Sequence, residues 1–131
     1  MPALSLSHTI DSERNRIYIT VRGRYESREL FQALMRYYAT IENAFLRDRL
    51  IDVRRADGYF SLDEIKAAAG AALAAARTAS TGAPQARVAF VSNDPFDAPR
   101  LSGLADLLPS SRYRSFDSMR AAEDWLDQPP E

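Results

Sequence analysis

Hydrophobic and polar positions along the chain change period several times, and each change marks an element. Leu4, Leu6, His8 and Ile10 alternate with Ser5, Ser7 and Thr9, and Ile17, Ile19 and Val21 alternate with Tyr18, Thr20 and Arg22. Such a period of two predicts strands with one buried face. The polar stretch Asp11-Ser12-Glu13-Arg14-Asn15 predicts the hairpin between them. Leu50-Ile51-Asp52-Val53 and Val88-Ala89-Phe90-Val91 are mostly continuous apolar runs, the pattern of parallel strands covered on both faces near a sheet centre. The short, charged Arg112-Tyr113-Arg114-Ser115-Phe116 reads as an edge strand.

Between these strands the period lengthens to that of helices. Ser27 is the expected cap of a first helix with a stripe of Leu30, Leu34, Tyr37, Tyr38, Ile41 and Phe45. Ser61-Leu62-Asp63-Glu64 forms a capping box opening an Ala-rich helix over 61–79, stopped by Thr81-Gly82-Ala83-Pro84. A third helix is expected from Asp97 to Leu108. A closing helix, with an expected cap at Asp117 and Phe116 as a staple, carries Trp125 and Leu126. Parallel neighbours need crossovers, so the order predicts an α/β fold with a single mixed, mostly parallel five-stranded sheet, an N-terminal β-hairpin followed by βαβαβα. The pattern leaves two sheet orders open: sequential neighbours, or a switch point at the second strand.

At 131 residues the chain reads as one domain over 1–131, with 128–131 expected to be a disordered tail. Its 46% hydrophobic and 27% charged residues are ordinary for a globular protein. The absence of Cys removes disulfides, thiolate nucleophiles and zinc–cysteine sites. A net charge of −1 argues against nucleic acid as a partner. Neither a leader pattern nor a run of about twenty apolar residues is visible, so a cytoplasmic protein is expected, without support for peripheral membrane contact.

Catalytic and cofactor signatures are sparse. No phosphate-binding glycine motif and no nucleophile elbow occurs, the single His8 lies on an apolar strand face, and acidic residues show no metal-ligand spacing. The reading is therefore a non-enzyme with no catalytic residue, no cofactor and no metal, the competing one being an enzyme working through Asp52, Ser92 and Asn93 at the strand ends. Ligands of parallel sheets bind outside the carboxyl ends of the strands. That rule selects Arg54, Arg55, Asp57, Tyr59, Ser92, Asn93 and Arg100 as candidate ligand- or partner-binding residues, with Arg54, Arg55 and Arg100 as an anion clamp. The competing expectation is a solvated loop in which Arg54 pairs with Asp57 and Asp94 caps a turn.

The element order, the strand Arg87-Val88-Ala89-Phe90-Val91-Ser92, the acidic strand end Leu50-Ile51-Asp52-Val53 and the closing Ala122-Glu123-Asp124-Trp125-Leu126 resemble the SpoIIAA-like family. That family is similar in fold to the anti-sigma-factor antagonist (STAS) domains and to the lipid-binding core of Sec14-type proteins. The resemblance implies a regulatory or protein-interaction module. The antagonists carry Asp-Ser-Ser-Gly or a close variant after the third strand, with a phosphorylatable serine; the matching segment here is Asp52-Val53-Arg54-Arg55-Ala56-Asp57-Gly58, where neither Val53 nor Arg54 accepts phosphate. The similarity to Sec14-type cores implies the alternative, a carrier of a small apolar or anionic ligand or lipid with a cavity under the helix 61–79. Leu4 to Ile10 as an unprotected edge leaves a homodimer open.

Overall fold

The computed structural model describes residues 3–44, 47–58, 63, 66, 86–95, 99 and 113–129. Five strands, β1 (Ser5–Asp11), β2 (Arg16–Arg24), β3 (Asp48–Asp57), β4 (Val88–Val91) and β5 (Tyr113–Phe116), form one sheet in the order β1-β2-β3-β4-β5. The first pair is antiparallel and the other three pairs are parallel. The mixed α/β sheet expected from the hydrophobic pattern is present, and its order is the sequential one. The strand order never reverses, so the crevice that a switch point would create is absent from this sheet.

Two described helices, α1 (Ser27–Tyr38) and the closing helix α2 (Met119–Asp127), cover opposite faces. On one face Ile17, Ile19 and Val21 of β2, Ile51 and Val53 of β3, and Val88 and Phe90 of β4 pack with Leu30, Leu34 and Tyr38 of α1. The spacing of those three α1 residues by four keeps them on one stripe. Each fully buried aliphatic side chain contributes about 1.5–3 kcal/mol. On the other face Leu50, Ala89 and Val91 receive Ala122, Trp125 and Leu126 of α2. The β2-to-β3 crossover carries α1. No strand follows α2, so no crossover rule assigns its side.

Helix ends differ from the expected ones. Ser27 is the first helical residue of α1; the cap position belongs to Glu26, whose extended backbone offers its carbonyl to the Leu30 amide at 2.9 Å and whose side chain makes no cap bond. The helix stops at Tyr38, not near Phe45, and Asn43 takes a left-handed φ of 58° while Ile41 and Ala44 stay buried. In α2 the cap is Ser118, not Asp117: its hydroxyl accepts from the Ala121 amide at 3.2 Å. Phe116 then lies one residue too early for a staple and instead meets Trp125, ring centroids 5.6 Å apart.

The C-terminal end of α2 is held by two arginines. Arg87 donates to the carbonyls of Trp125 (2.8 Å), Leu126 (2.6 Å) and Gln128 (2.7 Å) at the helix terminus, where the Trp125 carbonyl also accepts from the Gln128 amide at 3.2 Å. Arg16, buried at the start of β2, reaches Asp127 Oδ1 at 2.7 Å. The guanidinium groups of Arg87 (5.4 Å) and Arg114 (5.2 Å) both lie within cation–π distance of the Trp125 ring centroid.

Candidate functional site

The carboxyl ends of β3 and β4 do not coincide. β4 pairs with β3 only from Arg49 to Asp52, whereas β3 continues to Asp57 beside β2. Residues 54–57, expected in a loop, are thus strand. The β2–β3 register slips by one between Thr20↔Asp52 and Arg22↔Arg55, so Val53 and Arg54 together face Val21. This is a β-bulge, which re-aims the side chains beyond it. Ile51 and Val53 pack on the α1 side, and after the bulge Ala56 joins that side. Gly23, opposite Ala56, has φ 93°, a conformation that glycine adopts without a Cβ clash.

At the bulge, Asp52 and Arg54 form a closed pair. Asp52 Oδ1 accepts from the Arg54 amide and from Arg54 Nε, and Oδ2 accepts from Arg54 Nη2, each at 3.0 Å. Burial alone pushes the Asp52 carboxyl up, but the Arg54 hydrogen bonds and the charges of Arg54 and Arg55 outweigh it and hold it below the usual range. The same bond to Asp52 raises Arg54. Across the strand end, Asn93 Nδ2 donates to the Arg54 carbonyl at 3.3 Å. Ser92 donates its amide to the Phe116 carbonyl at 3.0 Å, and its hydroxyl accepts from the Asp94 amide at 3.0 Å.

The strand ends therefore bring Arg54 and Asn93 into contact, with Ser92 beside them just past β4. The ion pair expected between Arg54 and Asp57 is replaced by the one with Asp52, seated across the bulge. Arg54 is consequently occupied, and the turn after β4 is closed by the Ser92 hydroxyl. Arg55 and Asp57 lie farther out, paired in register with Arg22 and Arg24. Tyr59, Arg100, the capping box at Ser61, the helix over 61–79 with its candidate cavity, and the helix from Asp97 to Leu108 lie outside the described residues. His8 faces α1, its Nδ1 hydrogen-bonded to the Tyr37 hydroxyl and its ring edge-on to Tyr37 with centroids 5.2 Å apart. Among the described residues no group of three His, Cys, Asp or Glu stands ready for a metal ion, and no helix is long and apolar enough to cross a membrane.

The register exposes a feature that residue types alone did not reveal. Arg22, Arg24 and Arg55 are exposed, and Arg22 lies directly beside Arg55. Adjacent strands run about 4.8 Å apart, and like charges side by side on a sheet are unfavourable. The signal in the chain was the pair Arg22-Gly23-Arg24 and Arg54-Arg55; the bulge sets Arg55 rather than Arg54 beside Arg22. Together they make a basic ribbon at the outer end of β2 and β3, with Asp57 beside Arg24 as its acidic neighbour.

Among solved structures, an uncharacterized protein with a SpoIIAA-like fold from Shewanella loihica matches with a TM-score of 0.55 and 17% identity, over 96% of this chain and 97% of that one. An anti-sigma factor antagonist from Mycobacterium paratuberculosis matches with a TM-score of 0.50 and 15% identity, over 95% of this chain and 96% of that one. At such identities the likeness is one of fold, and the fold of this chain is SpoIIAA-like. No protein-family model and no curated protein matches the chain.

Proposed function

We propose that this SpoIIAA-like chain is a non-catalytic protein-interaction module of the STAS type that works without a phosphorylatable Asp-Ser switch and takes an acidic partner on the ribbon of Arg22, Arg24 and Arg55. The observation that carries the reading is the side-by-side placement of Arg22 and Arg55 on exposed strands. Two guanidinium groups in register repel one another, and a carboxylate-bearing surface laid across them relieves the repulsion with directional, bidentate bonds. The place of the antagonists' serine segment supports the second half of the reading. It holds Val53 and the closed Asp52–Arg54 pair, which offers neither a phosphate acceptor nor an unoccupied base. Kinship of fold with an anti-sigma factor antagonist supports a regulatory role.

Affinity capture with the wild-type chain and with Arg55→Glu tests this. The wild type retains a discrete partner from lysate at low salt, and the variant, with an unchanged circular dichroism spectrum, loses it. Equal recovery by both proteins refutes the proposal.

A further inference from the structure

Among the described residues the edge strand β1 lacks the Lys, Pro and bulge that commonly keep sheet edges from pairing. It has no Lys and no Pro within Ser5–Asp11, and its register with β2 runs through seven consecutive pairs without a bulge. It is also the outermost strand of the sheet, so its outward amides and carbonyls face no strand among the described residues. Ile10, at 41% exposure, is the one exposed large hydrophobic residue among the described residues.

A second copy of the same strand answers this edge. Placed antiparallel about a two-fold axis at His8, Leu6 falls opposite Ile10 of the other copy, Ser7 opposite Thr9, and Ser5 opposite Asp11. On the α1 side, apolar meets apolar on either side of a central pair of His8 rings; on the other side, hydroxyl meets hydroxyl or carboxylate. No charge meets its like, because Asp11 is the only acidic residue of the strand and lies at its end. A shift of register by one residue sets Leu6 or Ile10 against serine or threonine and destroys the match. We infer that β1 is a self-association edge, through which two copies of this chain join their five-stranded sheets into one continuous sheet centred on His8. Such a contact is small beside obligate dimer interfaces, so the dimer is a concentration-dependent one.

Sedimentation velocity over a concentration series, together with crosslinking, tests the inference. The wild type moves from the 14.7 kDa chain mass towards twice that value as concentration rises, and Ile10→Lys remains at the monomer mass with unchanged circular dichroism. In this Cys-free chain His8→Cys places one thiol at the axis, where directly opposed Cβ atoms come within about 4.5–5.5 Å. With diamide added as the oxidant, it forms a disulfide dimer at least tenfold faster than Glu13→Cys in the hairpin turn. A wild type that stays monomeric throughout, association that survives Ile10→Lys, or equal crosslinking of the two cysteine variants overturns the inference.

Discussion

Arg87→Met removes the guanidinium that ties the last turn of α2 to the start of β4 while keeping an unbranched apolar stem. Three charge-assisted hydrogen bonds, at 2.8, 2.6 and 2.7 Å, disappear together with the stacking on Trp125. Hydrogen bonds to charged donors contribute about 1.5–3 kcal/mol each where water cannot replace them. Water reaches the exposed Gln128 end, so the three together are set at about 2–3 kcal/mol, to which the cation over the ring adds about 0.5–1 kcal/mol. A loss of about 3 kcal/mol is a large share of the 5–15 kcal/mol typical of a domain, and lowers Tm by roughly 10 °C. Urea unfolding followed by tryptophan fluorescence is the assay, since Trp125 is the only tryptophan and sits under the clamp. Arg87→Lys keeps the charge near the helix terminus but not the fork, and recovers less than half of the loss. A cost below about 1 kcal/mol for Arg87→Met refutes the view that this residue is the C-terminal cap of α2.

Gly58→Ala puts a Cβ 2.5 Å from the Tyr25 carbonyl oxygen and 2.8 Å from its ring, and the Tyr25 amide is already bonded to the Asp57 carbonyl; thermal unfolding should show a loss of about 1–3 kcal/mol, and an unchanged Tm contradicts the close approach. Because the folded state holds the Asp52 carboxyl below its unfolded value, the Asp52–Arg54 pair contributes its full stability above about pH 4 and loses it as pH falls through the folded value. Asp52→Asn should therefore flatten the acid limb of a urea-midpoint profile below about pH 4, and an acid limb as steep as the wild type's removes that role from Asp52.

Legibility from the residues followed the reach of each signal. Val88–Val91 was readable in full because an apolar run of four residues, mostly β-branched or aromatic, is too short for a buried helix. β3 extends six residues on its β2 side past the apolar core at Leu50 and Ile51, because backbone pairing with β2 holds Arg54 to Asp57 where hydrophobicity offers no cue. Asp117 has a good capping residue, Ser118, as its neighbour, and composition does not say which of two adjacent polar residues takes the extended backbone; at Ser27 the extended backbone fell to Glu26, which makes no side-chain cap bond and leaves no cue in the sequence. Helix α1 broke at Tyr38 although the apolar stripe ran on, since Ile41 and Ala44 enter the core from the turn that follows. At the candidate site, Arg54 could be placed near Asp52, but the bulge that seats one on the other and brings Arg22 beside Arg55 is a property of register between strands. Nothing local in either strand encodes it.

The most direct test of the interaction reading is the salt dependence of partner retention by the wild-type chain, measured beside Arg22→Glu and Arg55→Glu with the fold verified in each. The account predicts that retention falls steeply as salt rises through the physiological range and that either substitution abolishes it at low salt. Retention that is insensitive to salt and unchanged by both substitutions contradicts it.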